Sequence, residues 1–199
     1  SEVAESVIKT IMEQNEVADW SGDTASANVY INKYDGLIKI IDAATTAVDG
    51  NTTAATAITS GAAGNVDTLV SDICNARPAK VKSAPNQVLF IGQDNFDKYV
   101  DTLNAKNLYH VNATDWANYT VSIPGKNVTL VGVVGLDGTN RMFLGTQENF
   151  FLGFDLQNDE EEFDMWYDKK DDKVYYRVKF KRGLQVAYPN EIVEFTLAV

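Results

Sequence analysis

The chain has 199 residues, and 28 Asp and Glu against 17 Lys and Arg give it a formal net charge of −11. This balance argues against a general nucleic-acid binder, because phosphate contacts require Lys and Arg. One cysteine and one histidine exclude an internal disulfide and do not suffice for a zinc cluster. No apolar run approaches the roughly 18 residues of a membrane-spanning helix, and the start does not resemble a signal peptide. Because the first residue is Ser1 rather than Met, we expect a processed product or a part of a longer protein.

Apolar residues recur with helical spacing at the start of the chain. They form one stripe and predict a helix over residues 1–20 that stops at Gly22: Val3, Val7, Ile8, Ile11 and Met12. Residues 28–32 are predicted as a short extended piece and residues 36–44 as a short buried helix. Residues 45–64 are Ala, Thr and Gly with almost no large apolar residue, which predicts a long loop and a candidate functional segment.

The middle of the chain predicts a helix followed by a strand–helix unit. Asn65 is a good N-cap, and a stripe of apolar residues over 65–76 predicts a buried helix face: Val66, Leu69, Val70, Ile73 and Cys74. Residues 87–91 predict a buried strand. Asp94 is predicted to cap a helix that runs to Leu103.

Loop and strand segments then alternate. Residues 104–126 are polar and rich in Asn, which predicts a loop, whereas residues 127–134 predict a second apolar strand. Asp137-Gly138 predicts a tight turn. Residues 141–145 and 150–154 predict two further short strands.

The last quarter of the chain is acidic and β-rich. Residues 155–172 contain nine acidic residues and two lysines. Apolar and polar residues alternate over 173–180, which predicts a half-buried antiparallel strand preceded by a polar hairpin tip at 169–172. Three other strands are predicted, over 163–167, 184–188 and 192–197. Together these segments predict a β meander in an α+β protein.

The residue types show no catalytic constellation. The sequence lacks the common Gly-rich phosphate loops and the Gly-x-Ser-x-Gly elbow. His110, the single histidine, lies in the Asn-rich segment. Cys74 lies on the predicted helix stripe, where a small buried hydrophobe is a simpler interpretation than a nucleophile. We therefore predict no enzymatic activity, no cofactor and no metal site.

An acidic run allows several interpretations: Asp159, Glu160, Glu161 and Glu162. Clustered carboxylates suit a hard cation, but the EF-hand spacing is absent. A carboxylate pair for acid–base chemistry is another possibility, and a solvated charged turn is the simplest interpretation. A contact between subunits is the remaining one, because Lys179, Lys181 and Arg182 bring opposite charge to the same region. We take these seven residues as candidate interface residues, and such an ionic contact should weaken as salt rises.

A colinear series of segments resembles the major capsid proteins of tailed bacteriophages, which share the Hong Kong 97-type fold. The amphipathic opening that ends in Trp20-Ser-Gly-Asp23 is similar to the end of the long spine helix of that family. Tyr34-Asp-Gly-Leu-Ile-Lys39 is similar to the aromatic–Asp–Gly–Leu start of its axial domain. Further segments resemble its later helices and strands: 65–76, 86–99, 145–154, 161–167, 174–180 and 182–193.

The resemblance implies an α+β, Hong Kong 97-like capsid fold with two domains. Residues 35–154 would form the axial domain, whose loops at 45–64 and 104–126 meet at the five- and six-fold axes. Residues 1–34 would supply the spine helix and the entry to the peripheral domain, and residues 155–199 its β strands. The N-terminal arm and extended loop of the family are not visible before Ser1.

The resemblance also implies a function. The chain would be a structural subunit of a phage or prophage capsid that self-assembles into hexamers and pentamers. The shell would enclose double-stranded DNA without sequence-specific binding, and scaffold, portal or decoration proteins are further possible partners. The expected location is the virion capsid, and the host bacterial cytoplasm during assembly, with no membrane partner.

Three alternatives remain open from the sequence. An encapsulin-like compartment shell would share the fold and enclose cargo enzymes instead of DNA. A secreted acidic binding module is suggested by the acidic run and by four Asn-x-Thr triplets, although the Asn- and Thr-rich composition also accounts for those triplets: Asn51, Asn112, Asn118 and Asn127. A carboxylate hydrolase is the weakest alternative.

Overall fold

The computed structural model describes residues 2–51, 54–108, 118–154, 162–179 and 181–198. The described helices are α1 Glu2–Ser21, α2 Leu37–Ala43, α3 Val66–Asn75, α4 Ala79–Lys82 and α5 Gln93–Ala105. The first five strands are β1 Val48–Asp49, β2 Gln87–Gly92, β3 Thr120–Ile123, β4 Val128–Val133 and β5 Met142–Thr146. The others are β6 Phe150–Phe154, β7 Glu162–Asp168, β8 Lys173–Lys179, β9 Arg182–Val186 and β10 Val193–Phe195. Short 3-10 turns lie at Val134–Leu136, Gln147–Asn149 and Pro189–Glu191.

A mixed sheet of six strands organises the chain, in the order β1-β10-β5-β2-β4-β3. The central strand β2 pairs in parallel with β4 and antiparallel with β5, which places Leu89 between Leu130 and Leu144. β10 pairs antiparallel with β5, and β1 pairs in parallel with β10. The last described strand therefore closes onto the sheet that the middle of the chain forms.

Helices α3 and α5 cover one face of this sheet. Alternation along β2 directs Leu89 and Ile91 into a core with Val70 and Ile73 of α3 and Phe96 of α5, and all five are almost fully buried. Alternate residues of the strands form one apolar face, and the apolar stripes of the two helices pack on it. This arrangement buries one face of each element.

The other face of the sheet packs against the end of α1 and against α2. Trp20 stacks on Phe143 of β5, with ring centroids 5.9 Å apart, and lies 5.0 Å from the ring of Phe90 in β2. Ile41 of α2 and Ile192 complete this second core and are fully buried. Since both faces of the sheet are covered, the central strands read as nearly continuous apolar runs.

Two small antiparallel ribbons lie outside the six-stranded sheet. β6 pairs with β9 over Phe150–Phe154, and β7 pairs with β8 over Glu162–Asp168. The ribbon of β6 and β9 contributes Val186 to the second core. The hairpin side chains whose burial is described, among them Met165, Tyr167 and Val174, belong to neither core cluster.

Several predictions about helices and turns are confirmed. α1 ends at Ser21, one residue before Gly22, and α3 carries the predicted buried stripe. The long segment 45–64 has only the two-residue strand β1 among its described residues. The turn at residues 169–172 joins β7 to β8 as the hairpin tip. The α+β class is confirmed.

Other local predictions are wrong. Residues 28–32 form a turn, in which Asn28 O accepts a hydrogen bond from Asn32 N at 3.1 Å. Gly92 rather than Asp94 precedes α5, and Asp94 lies in the first helical turn, where its carboxylate accepts from Asn95 N. The predicted loop over 104–126 contains strand β3, whose Val121 and Ile123 are buried. Residues 109–117, with His110, lie outside the described residues.

The predicted β meander at the end of the chain is also wrong. β9 pairs with β6 and β10 with β5, so among the described strands after residue 155 only β7 and β8 pair as sequence neighbours. The strand over 173–180 was expected to be half-buried, yet Val174 and Tyr175 are both exposed. Alternation identified the strand, but it does not reveal whether anything covers its apolar face.

Candidate assembly surface

Asp19, near the end of α1, joins three segments of the chain. Its carboxylate accepts a hydrogen bond from Tyr34 Oη at 2.7 Å and from Arg182 Nη2 of β9 at 2.5 Å. The Asp19 and Arg182 side chains are only 15% and 19% exposed. Burial raises the pKa of Asp19 above its usual value, although Tyr34 and Arg182 oppose that shift. This junction fixes where α1 leaves the sheet and where β9 begins.

A second polar contact holds the turn between α1 and α2. Lys39 Nζ donates to Asp23 Oδ1 and to Asp35 Oδ1, both at 2.7 Å. The hydrogen bond from Lys39 is the largest of the contacts that lower the pKa of Asp35 to about 2. The backbones also meet closely, because a Cβ added to Gly36 would lie 2.5 Å from the carbonyl oxygen of Trp20.

The first half of α1 extends away from these contacts. Met12 is 58% exposed, and Ile8 and Ile11 are half-buried. The apolar stripe predicted for this helix is therefore only partly covered by the described chain. The second half of α1 packs against the rest of the chain, because Asn15, Ala18 and Trp20 are buried.

The hairpin of β7 and β8 carries one face made only of apolar and aromatic residues. Directly opposite residues of an antiparallel pair share a face, and the register pairs Met165 with Tyr176 and Tyr167 with Val174. Phe163 and Val178 occupy the next pair on the same face. Met165, Tyr167 and Val174 are 58%, 54% and 47% exposed. We call these six positions the hairpin apolar face.

The opposite face of the hairpin has a different composition. Three register pairs join an acidic and a basic residue: Glu162 with Lys179, Asp164 with Arg177, and Asp168 with Lys173. Between them the rings of Trp166 and Tyr175 stack with centroids 5.7 Å apart. Opposite-charge pairs directly across two strands stabilise a hairpin in water, so this face suits solvent. We call it the hairpin charged face.

Turn residues at the hairpin tip bond to the strand aromatics. Tyr167 Oη donates to Asp172 Oδ1 at 2.5 Å, and Tyr175 Oη donates to Asp171 Oδ2 at 3.0 Å. The hydrogen bond to Asp172 raises the pKa of Tyr167. Both contacts join the hairpin tip to a strand aromatic, and the register places the two rings on opposite faces.

The seven candidate interface residues are not brought together by the described structure. Asp159, Glu160 and Glu161 lie outside the described residues. Glu162 pairs in register with Lys179 of the same hairpin, and Arg182 binds Asp19 within the chain. Lys181 is exposed between β8 and β9. Their role in an interface stays a prediction.

Sequence reasoning missed Asp19, Tyr34 and the hairpin apolar face. No local pattern marks Asp19 or Tyr34, because they lie 15 residues apart, in a helix and in a turn. Their further partner is distant as well, since Arg182, which binds Asp19, follows it by 163 residues. The apolar face did have a signal, because Phe163, Met165 and Tyr167 alternate with polar or amphipathic neighbours as residues 174–178 do.

The described residues offer little chemistry. No three His, Cys, Asp or Glu side chains among them cluster as a metal site would require. Cys74 is fully buried, and burial raises the pKa of its thiol. No helix of the described chain is long and apolar enough to cross a membrane. What the geometry offers is surface for contacts with other molecules.

Comparison with known proteins identifies a shared fold. No protein-family model and no curated protein matches the sequence. The chain is similar to a chain of a solved structure of the satellite phage P4 procapsid including size determination (Sid) protein, with 16% identity and a TM-score of 0.64. That similarity covers 97% of this chain and 62% of the procapsid chain. The chain therefore has the fold of a phage procapsid chain, and spans less than two thirds of its length.

A second solved structure is more distant. A chain of a virus-like particle from Pyrococcus furiosus is 13% identical, with a TM-score of 0.45, and the similarity covers 79% of this chain and 58% of that chain. At this distance the similarity adds no argument about function.

Proposed function

We propose that this chain is a structural subunit of the icosahedral capsid of a tailed phage or prophage, with the Hong Kong 97-type fold. The observation that carries the proposal is the similarity to the P4 procapsid chain over 97% of this chain. The colinear resemblance of the sequence, from Trp20-Ser-Gly-Asp23 to the last strands, supports the same conclusion independently of that superposition.

The surface of the chain suits a shell subunit. A shell subunit needs several contact surfaces rather than one cleft, and the described chain exposes apolar side chains at several places. Two of these places are the outer half of α1 around Met12 and the hairpin apolar face around Met165. The net charge of −11 also disfavours adhesion of packaged DNA to the wall. In this proposal the shell encloses double-stranded DNA without reading its sequence.

The domain division belongs to the proposal. Residues 35–154 would form the axial domain, and residues 1–34 with 155–199 the peripheral one. Strand β10 pairs with β5 in the six-stranded sheet, so residues 193–195 would return to the axial domain. The subunits would form hexamers and pentamers in the host bacterial cytoplasm and remain in the virion, with scaffold, portal or decoration proteins as further partners.

Negative-stain electron microscopy of the complete gene product tests the proposal. We expect closed shells of uniform diameter, either from the gene product alone or from expression with its neighbouring genes, which supply any scaffold. A product that stays dispersed under both conditions would contradict a capsid role. Shells that contain a co-purifying enzyme and no DNA after infection or induction would instead support an encapsulin-like compartment.

A further inference from the structure

We propose that the hairpin apolar face is a contact between copies of this chain, in which the faces of two copies pack against each other around a local two-fold axis. This inference rests on the proposed function, because an assembling shell supplies neighbouring copies. It names the partner of one assembly surface and the residues at its centre, Met165, Tyr167 and Val174.

The hairpin needs a partner for physical reasons. An isolated two-stranded hairpin is at best marginally stable in water, and a third strand or a packed face is needed for independent stability. Among the described residues β7 and β8 pair only with each other. The side chains of that face whose burial is described, Met165, Tyr167 and Val174, belong to neither core of the chain. Six apolar or aromatic positions in one contiguous patch of a strand pair are typical of an interaction surface.

The two faces indicate which side the partner occupies. The hairpin charged face places an acidic residue opposite a basic one at three register positions. Covering it would remove those charges from water at a cost. The hairpin apolar face has no ionisable carboxylate or amine among its six positions, so covering it removes mainly hydrocarbon and ring surface from water.

Charge indicates that the partner is a second copy. The chain as a whole carries −11, so two copies repel each other over most of their surfaces. The hairpin, residues 162–179, has five acids and five bases and therefore no net charge. The acids are Glu162, Asp164, Asp168, Asp171 and Asp172, and the bases are Lys169, Lys170, Lys173, Arg177 and Lys179. Two such patches can meet without net repulsion.

The composition of the face makes the contact self-complementary. An apolar sheet face fits another sheet face at a separation of about 10 Å, with the strands roughly aligned. Each hairpin supplies the same patch, and a contact in which both copies use the same patch has two-fold symmetry. Met165 and Tyr176 form the middle pair of the face and would lie closest to the axis.

The size of the face sets the strength of the contact. Each strand has seven residues, which corresponds to a length of roughly 24 Å. A two-stranded ribbon of that length buries a few hundred Å² per copy, below the roughly 800 Å² per partner of a stable interface. The contact is therefore weak between two free copies and becomes effective in an assembly, where many such contacts act together.

Cross-linking of assembled full-length protein tests this contact. Met165→Cys places a thiol at the centre of the apolar face, and Trp166→Cys places one on the charged face one residue away. The native Cys74 is fully buried. With a short bismaleimide, which suits sheets too far apart for a direct disulfide, we expect Met165→Cys to form covalent dimers at least about tenfold more than Trp166→Cys. Equal yields, or none, would overturn the proposal.

A second pair of variants and a mixing experiment make the result decisive. Val174→Cys should cross-link and Tyr175→Cys should not, which guards against a fault of one variant. The outer half of α1 is the alternative occupant of the face. If α1 occupies the face, a mixture of Met12→Cys copies and Met165→Cys copies would give cross-linked heterodimers, whereas Met165→Cys copies alone would give no dimers. That result would overturn the two-fold contact.

Imaging of the same samples separates this inference from the proposed function. Shells in which Met165→Cys copies remain uncross-linked would leave the capsid role standing and remove the hairpin contact. Cross-linked pairs without any shell would leave the contact standing and remove the capsid role. Neither shells nor dimers would contradict both.

Discussion

The β5 strand and the β7 strand both contain a methionine within an apolar run, but the structure treats them differently. Met142 of β5 is fully buried between two neighbouring strands and a helical layer, whereas Met165 of β7 is 58% exposed. The six-stranded sheet is complete within one chain. The hairpin is complete as hydrogen-bonded backbone, but its described apolar side chains Met165, Tyr167 and Val174 lack a cover. Strand pairing and side-chain burial are thus separate requirements, and another copy of the chain can supply the burial.

The matched methionines give the largest expected difference. Met142→Ala should lower the free energy of unfolding by about 2–5 kcal/mol, because it removes buried side-chain atoms and leaves a cavity. Met165→Ala should change it by no more than about 0.5 kcal/mol in the unassembled chain. Chemical denaturation of both variants measures the difference. Similar losses would mean that the hairpin face is already covered within the chain.

The ion pair that anchors β9 to α1 should give the next largest effect. Arg182→Met leaves the mostly buried Asp19 carboxylate without its charge partner, and we expect a loss of about 2–3 kcal/mol. Lys9→Met is the matched control, because the Lys9–Glu13 pair is exposed and 3.9 Å long. That change should cost no more than about 0.5 kcal/mol. Equal costs in thermal denaturation would show that the junction does not anchor β9 to α1.

Backbone packing at the base of α1 can be tested with two glycines. Gly36→Ala places a Cβ 2.5 Å from the carbonyl oxygen of Trp20, whereas Gly183→Ala in β9 meets no atom within 4 Å. We expect Gly36→Ala to cost about 1–3 kcal/mol, since main chain must move to admit the methyl group. Gly183→Ala should stay within about 0.5 kcal/mol. Urea denaturation midpoints measure both, and a mild effect at Gly36 would show that the α1–α2 turn is adaptable.

Salt dependence distinguishes the apolar contact from the ionic one expected from the sequence. If the hairpin apolar face carries the association, added sodium chloride should strengthen it, because salt screens the repulsion between copies of charge −11. Light scattering across a salt series at fixed protein concentration measures this. Association that weakens with salt would instead indicate an ionic contact through the charged residues, including Lys181 and the acidic run at 159–162.

The smallest expected effect concerns acid stability. The pKa of Asp35 in the folded chain is lowered to about 2 from 3.8, so the unfolded chain binds more protons between these values. Stability from this group is therefore present above about pH 4 and is lost as the pH falls toward about 2. Asp35→Asn should flatten the decline of the denaturation midpoint over that interval. An unchanged profile would show that the Lys39 contact does not stabilise the fold.

Part of the fold was predictable from the sequence because it depends on local periodicity. The stripe of α3, the β2–α5 unit and the hairpin tip at 169–172 follow from residues close together in the chain. The partners of β9 and β10 were not predictable, since β10 pairs with β5, about 50 residues earlier, and no spacing rule encodes that choice. β3 was missed because only Val121 and Ile123 mark it beside an Asn-rich segment.

The candidate assembly surface was predictable to a different extent. The charged residues at 159–162 and 179–182 led to a predicted ionic interface, because runs of charge are visible in a sequence. The described part of that set shows Arg182 bound to Asp19 and Glu162 opposite Lys179. The hairpin apolar face was encoded by alternation in both strands, but its exposure depends on the absence of a covering element among the described residues. That is a three-dimensional fact, which periodicity does not carry.

Hydrogen exchange tests most directly the claim that the sheet is complete in one chain and the hairpin is completed by another copy. Exchange would be followed on the full-length protein, before and after assembly, with β2, β4 and β5 as internal reference. We predict that amides of β7 and β8 are weakly protected before assembly and strongly protected after it, while the reference strands are protected in both states. Equal protection of the hairpin in the two states would contradict the account.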